Sequence, residues 1–386
     1  MQIYLDHGAT TPTRPEVIDF IGEVMRSQWG NPSSLHAWGE RAAMTIERSR
    51  LQVASLIGAE PEGIIFTSGG TESDNLALFG VARNYCVPQH AIVSAVEHSA
   101  ISEPAKFLEQ MGWEITRLPV DRMGRVHPKD LSAALRPNTV LVSVIYAQNE
   151  VGTIQPIEKL GQICRNAGVL FHTDAVQAAG RLPIDLRSLP IDLLSISSHK
   201  LYGPQGVGAL YVNATVKKLL PLLMGGGQEE GLRSGTQAVA AIAGFGLAAD
   251  LAQQELVGEF ERLMGLRDRL FHQLKDIPDL EPTGDYDFAE KGGGANRLPH
   301  HLSFCHPYLN GRRLVTALNL AGIAISSGSA CSSGSLVPSS TLLAMGFNQA
   351  QALGSIRLTL GRDTTEADVD WTALVLRQVI ERELMR

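Results

Sequence analysis

From residue 64 to residue 212, short apolar runs of strand length alternate with stretches of helical periodicity. The runs are Ile64-Ile65-Phe66, Ala91–Val96, Val140–Tyr146, residues 169–174, Ile191–Ile196 and Gly206–Val212. Between them lie a helix through Leu76, Leu78, Phe79 and Val81, one over Ile101–Met111 and one near Ile157–Asn166. The chain therefore reads as α/β, with a doubly wound, mainly parallel sheet covered by helices on both faces. Such sheets gather their functional groups where strands end. Thr71, His98, Asn149, Asp174 and Lys200 all stand at or just after the end of an apolar run.

Three of these strand ends point to one chemistry. The segment Ser195-Ile196-Ser197-Ser198-His199-Lys200 ends a strand in small hydroxyl residues, and Gly203-Pro204 then breaks the chain. A lysine there, partly withdrawn from water, is an amine nucleophile towards an aldehyde. Taken singly it would be an ordinary surface lysine. However, Val169-Leu170-Phe171-His172-Thr173-Asp174 delivers a carboxylate in the same way, and residues 64–72 run from a strand through Gly69-Gly70 into a helix. The N–H groups at that helix start, with the hydroxyls of Ser68 and Thr71, form an anion site. No Gly-Lys-Ser/Thr follows, which excludes a Walker loop. A Schiff-base lysine, a carboxylate for a pyridinium nitrogen and a phosphate cradle are what pyridoxal phosphate (PLP) requires of a protein.

The rest of the chain bounds this reading. A length of 386 residues predicts two to three domains. A net charge of −7 argues against a nucleic-acid surface. The four cysteines, Cys86, Cys164, Cys305 and Cys331, have no metal-type or disulfide spacing, which suggests a reducing compartment. The start carries no signal-peptide pattern, and the longest apolar run, Ala238 to Ala249, is too short to span a bilayer. These features predict a cytoplasmic protein with no membrane or nucleic-acid partner. Cys86, Cys164 and Cys305 read as semi-buried thiols on helices or strands.

Leu223–Gly231 is a glycine-rich loop leading to Arg233-Ser234-Gly235-Thr236, whose polar residues suit a phosphate contact. One or two long helices then reach about Leu274 and bridge to a second domain. That domain has strands at His301–Phe304 and Ser355–Leu360, and helices at Arg312–Leu320, Thr341–Met345 and Thr365–Leu384. Inside it lies Ser326–Ser335, a Gly/Ser segment with Cys331 at its centre. A linker would separate domains, so this segment reads as a mobile loop carrying one reactive thiol.

With these motifs in hand, the chain resembles the cysteine desulfurases of the class V aminotransferase group (PLP fold type I). The resemblance is to the branch serving nitrogen fixation and iron–sulfur assembly. It rests on YLDHGATTP, FTSGGTESDN, EHSA, NEVGTIQPI, HTDAVQAAG, SSHKLYGPQGVGALYV, RSGT, SSGSACSSGS and SIRLTLGR, in order from residue 4 to residue 362. It implies a large PLP-binding domain over 15–255 and a smaller α+β domain made of 1–14 and 256–386. It also implies that Lys200 carries PLP and shuttles protons, that Asp174 pairs with the pyridinium, and that His98 stacks on the ring and serves in acid–base steps.

Gln177 is then expected to hydrogen-bond the ring oxygen, and Gly70, Thr71, Ser197 and His199 to hold the phosphate. Thr236 would reach the cofactor of the neighbouring subunit in a homodimer. Asn149 and Arg357 would receive the substrate carboxylate. Cys331 would take sulfur from L-cysteine as a persulfide, pass it to an acceptor such as an iron–sulfur scaffold protein, and serve as a transient iron–sulfur ligand. No resident metal is expected. A selenocysteine lyase, another PLP lyase or aminotransferase, and a non-catalytic scaffold on a PLP fold are the alternatives. Cys331 on its small-residue loop argues against the first two classes, and the intact Lys200–Asp174 pair against the last. His7 and Gly8 depart from the more usual residues beside ATT, and Gln148 stands where Asn is common.

Overall fold

The structure is a computed structural model that describes residues 2–286, 296–328 and 337–385. A short β1 (Ile3–Tyr4) comes first. Then follow β2 (Ile64–Thr67), β3 (His90–Ser94), β4 (Glu114–Leu118), β5 (Thr139–Ser143), β6 (Leu170–Asp174), β7 (Leu193–Ser197) and β8 (Gly208–Val212). These last seven form one sheet in the order β2-β8-β7-β6-β5-β3-β4. β8 runs antiparallel to both its neighbours, and every other neighbouring pair is parallel.

Alternation along the strands explains why both faces are covered. Ile64 and Phe66 point into one core, with Val142, Phe171, Leu194 and Ile196, against the helices Ala37–Leu56 and Ile157–Ala167. Ile65, Ala91, Val93, Leu141 and Leu193 point into the other, against the helices Gly70–Ala82 and Ser99–Gln110. Sheets buried on both faces need apolar residues at successive positions, which is why the sequence showed runs. β4 is an edge strand in which only Leu118 is buried, and it left no such run.

A third core lies against the smaller sheet. The strands β9 (Glu281–Pro282), β10 (His301–Cys305), β11 (Ile323–Ala324), β12 (Ser326–Ser327) and β13 (Ile356–Thr359) complete the set. Four of them make an antiparallel sheet in the order β12-β13-β10-β9, and β1 pairs in parallel with β11. One 36-residue helix, Val239–Leu274, joins this core to the one under the Ala37–Leu56 face of the large sheet. Ile242, Phe245 and Ala249 from its first half pack under the large sheet, whereas Leu263, Leu266, Leu270 and Leu274 pack with Leu302, Phe304 and Leu358. The closing helix Glu366–Leu384 starts from a capping box between Thr365 and Asp368. Among the described residues no helix is long and apolar enough to cross a membrane.

Candidate active site

The carboxyl ends of β2, β3, β5, β6 and β7 open into one cleft of about 720 Å³. It is lined by Gly70, Thr71, His98, Asn149, Asp174, Gln177, Ser197, His199, Lys200 and Arg357. Nine of these ten sit on or just after strands of the large sheet or at the start of a helix that follows one, while Arg357 comes from β13 of the smaller sheet. Ser326–Gly328 and Val337–Ser340 also line the cleft, one on each side of the segment that carries Cys331. Cys331 itself lies outside the described residues.

Lys200 ends a single 3-10 turn after β7. Its Nζ donates to the carbonyls of Gly8 at 2.7 Å and Ala9 at 2.6 Å. Asp174, the last residue of β6, is buried, and its Oδ1 accepts from the Val176 N–H at 2.9 Å. Burial raises its carboxyl pKa, while His98, that N–H and Lys200 pull the other way. His98 caps the helix Ser99–Gln110, its Nδ1 accepting from the Ala100 N–H at 3.1 Å. That bond fixes the ring and leaves Nε2 as the protonated nitrogen of the neutral form. Burial lowers the His98 pKa, with Asp174 opposing and Lys200 adding. A ligand-capable atom from each of Asp74, His98 and Asp174 lies within 4.8 Å of the others.

The phosphate end is built from a close approach of two backbones. Gly69 takes φ 151°, and a Cβ on Gly208 would lie 2.7 Å from the Gly69 Cα, so neither position accepts a side chain. The helix that begins at Gly70 presents its first N–H groups there. Glu72 tightens the turn: it accepts from the Ser68 N–H at 2.7 Å and pairs with Arg233 Nε at 2.9 Å. Burial raises its pKa, but Arg233 and Ser68 outweigh burial and lower it overall. His199 Nδ1 lies 3.1 Å from the Thr10 hydroxyl, and burial beside Lys200 holds its pKa down to about 4. Gln177 Nε2 donates to the Gly8 carbonyl at 2.9 Å.

This set fits PLP on structural grounds. A primary amine, a buried carboxylate and a glycine-walled helix N-terminus face one cavity, and Asn149 Oδ1 and Arg357 Nε are buried there without partners among the described residues. Thr236 stands apart. It is exposed and lines a separate depression of about 410 Å³ with Met25, Gln28 and Trp29. Cys164 and Cys305 are fully buried rather than semi-buried, and burial pushes both thiols up to about 12. Cys86 is exposed on a bend outside any helix or strand, because the helix Gly70–Ala82 stops short of it.

The aminotransferase class-V family model matches residues 3–371. The chain belongs to the class-V aminotransferases. It is 46% identical over 383 residues to the cysteine desulfurase IscS of Dictyoglomus turgidum, covering 99% of this chain and 95% of that one. The cysteine desulfurase IscS of Escherichia coli is 44% identical over 387 residues, covering 99% and 93%. A solved NifS-like protein superposes with a TM-score of 0.90 at 34% identity, covering 99% of this chain and all of that one. A NifS-like protein from Rickettsia africae gives 0.88 at 32%, with the same coverage.

Within this class-V aminotransferase, motif reading passed over four residues that shape the cleft. Asp6 Oδ1 accepts from Arg357 Nη2 at 2.8 Å, and Gly8 supplies the carbonyl that both Lys200 and Gln177 use. Glu97 and Glu150 are half-buried residues in the cleft wall, and withdrawal of their carboxyls from water raises both pKa values. Glu150 accepts from Ser339 Oγ at 2.5 Å and Thr341 Oγ1 at 3.2 Å. Asp6 and Gly8 sit in YLDHGATTP, Glu97 in EHSA and Glu150 in NEVGTIQPI, but the motifs give no sign of what these groups meet in the fold.

Proposed function

We propose that this PLP-dependent enzyme desulfurates L-cysteine in the cleft, with Lys200, Asp174, His98 and Arg357 in the roles their positions suit and Cys331 as sulfur acceptor. When bound, PLP supplies an electron sink for the α-carbon of the amino acid joined to it. Lys200 would hold the cofactor and move protons at the α-carbon. Asp174 would face the pyridine nitrogen, and His98, fixed through Nδ1, would lie against the ring. Gln177 would turn to the ring oxygen. Gly70, Thr71, Ser197 and His199 would take the phosphate. Arg357 and Asn149 would orient the substrate carboxylate. The Cys331 thiolate would then accept the sulfur as a persulfide as the carbon–sulfur bond breaks, releasing alanine.

The observation that carries this reading is the meeting of Lys200, Asp174, His98 and Arg357 on one cleft whose wall includes both flanks of the Cys331 segment. Thr236 is assigned to the cofactor of a second subunit because it lies in a different depression from the other phosphate residues, which makes the enzyme a homodimer. The two cores sharing one helix support a large domain over 15–255 and a smaller one over 1–14 and 256–386. An iron–sulfur scaffold is the acceptor this reading assigns, and transient iron–sulfur ligation by Cys331 goes with it. A cytoplasmic setting fits the free thiols Cys86, Cys164 and Cys305.

The test has two parts. Borohydride treatment of the PLP-loaded protein should fix the cofactor on the peptide containing Lys200. L-Cysteine with a reductant should give alanine and sulfide in equal amounts. Label on a different lysine, or release of pyruvate or ammonia in place of alanine, would overturn the assignment.

A further inference from the structure

Two more buried carboxyls stand beside Asp174, and the proposed chemistry uses neither. Asp74 comes from the helix Gly70–Ala82 and Glu97 from the turn after β3. Asp74 Oδ1 lies 3.6 Å from His172 Nε2 and has no hydrogen-bond partner among the described residues. His172 gives it no cation. The two ring nitrogens lie 2.8 Å from the Ser143 hydroxyl and 3.0 Å from that of Ser195, and burial holds the ring down to about 3. Glu97 Oε1 accepts from the Ser94 N–H at 3.3 Å, the Ser94 hydroxyl and the Ile145 N–H at 2.9 Å. Its Oε2 is shut off from solvent with no partner among the described residues.

The cluster thus holds three carboxyls, contributed by the helix Gly70–Ala82, the turn after β3 and the end of β6. Among the described residues, the groups facing it that can carry positive charge are His98 and Lys200, and both favour the ionised form of Asp174. Burial lowers the pKa of His98, which leaves Lys200 as the standing cation there, and three adjacent carboxylates in low dielectric cannot all stay charged beside one cation. We propose that Asp74 and Glu97 keep their protons as neutral carboxylic acids and so leave Asp174 as the one ionised member of the cluster. They are positioning residues for that charge. Burial pushes Glu97 up to about 8, and burial followed by the charge of Asp174 raises Asp74 well above the usual carboxyl range. This inference rests on the PLP reading only for the use made of the Asp174 charge. The proton on Glu97 does not depend on it.

Glu97→Gln tests the proton directly, because an amide reproduces a neutral carboxyl in shape. An acid whose folded pKa exceeds its unfolded value stabilises the fold fully below the unfolded pKa, and that stabilisation is lost as pH rises through the folded pKa. Between about pH 5 and about pH 8 the cofactor-free parent should therefore lose roughly 5 °C more melting temperature than Glu97→Gln. In the PLP-loaded parent, the infrared band of protonated carboxyls should persist at neutral pH and lose the intensity of one carboxyl in Glu97→Gln, the share of Asp74 remaining. Parallel melting curves, or a protonated-carboxyl band at neutral pH that is the same in parent and variant, would overturn the proposal. Should Glu97→Gln fail to fold, the protonated-carboxyl band of the parent decides alone: a one-carboxyl loss near pH 8 supports the proposal, and complete loss below pH 5 ends it. A parent with this band but no cofactor absorption would sink the PLP reading and leave the proton placement supported.

Discussion

Arg357 Nη2 donates to Asp6 Oδ1 at 2.8 Å, and Nη1 donates to the Asn149 carbonyl at 3.0 Å. The Arg357 side chain is 8% exposed, so two fixed acceptors from distant parts of the chain set the plane of its guanidinium before any substrate arrives. Planar pairing is what makes arginine selective for a carboxylate. Arg357→Lys should raise KM for L-cysteine by about 10- to 100-fold with a smaller effect on kcat. Asp6→Asn should raise KM by about 10-fold by loosening the same group. Steady-state kinetics check both, and an unchanged KM in Arg357→Lys would remove Arg357 from substrate binding.

Asp174→Asn keeps the hydrogen-bonding shape beside Val176 while removing the charge. Cofactor should still bind, with turnover slowed by about 100-fold or more, as for other electrostatic catalytic groups. Near-parent turnover would leave Asp174 with a structural role only.

Acid should unfold the protein through its buried histidines. His172 is held to about 3 by burial, against an ordinary 6.5. The unfolded chain takes up a proton below 6.5 that the folded chain refuses, so this contribution is complete above that value and shrinks as pH falls towards 3. The loss reaches about 3 kcal/mol by pH 4.5. Denaturant titrations across that range should show His172→Gln losing less stability on acidification than the parent. Equal slopes would mean that His172 protonates without unfolding.

The subunit arrangement is open to a spectroscopic check. Trp29 is 67% exposed beside the depression that holds Thr236. Size-exclusion should give a dimer, and Thr236→Ala should weaken PLP binding by about 10-fold, the loss of a hydrogen bond to a charged group. Dissociating the dimer should red-shift the Trp fluorescence. A monomer with full PLP occupancy would end the idea of a shared site.

The sequence made the strand ends legible because the sheet is buried on both faces, which forces apolar runs that stop where polar side chains begin. Lys200, Asp174 and His98 could be placed on that basis, and Arg357 by resemblance. Asp6 and Gly8 could not, because their work depends on β13 and the Lys200 turn, over 190 residues away along the chain. Glu97 and Asp74 were equally silent, since a charged residue type gives no sign in sequence of a buried, partnerless oxygen. The single helix over Val239–Leu274 was ambiguous because its apolar face changes from one core to the other part-way along.

Cys331 carries the central claim, and the most direct measurement is one turnover of L-cysteine by Cys331→Ser and by the parent, with alanine quantified and the protein mass-analysed. The parent should release one alanine per active site and hold one extra sulfur on the peptide containing Cys331. The variant should retain the cofactor spectrum and release no alanine, while replacing Cys86, Cys164 or Cys305 should change little. Alanine release at the parent rate from Cys331→Ser would contradict persulfide transfer to Cys331 and require a different nucleophile to take the sulfur.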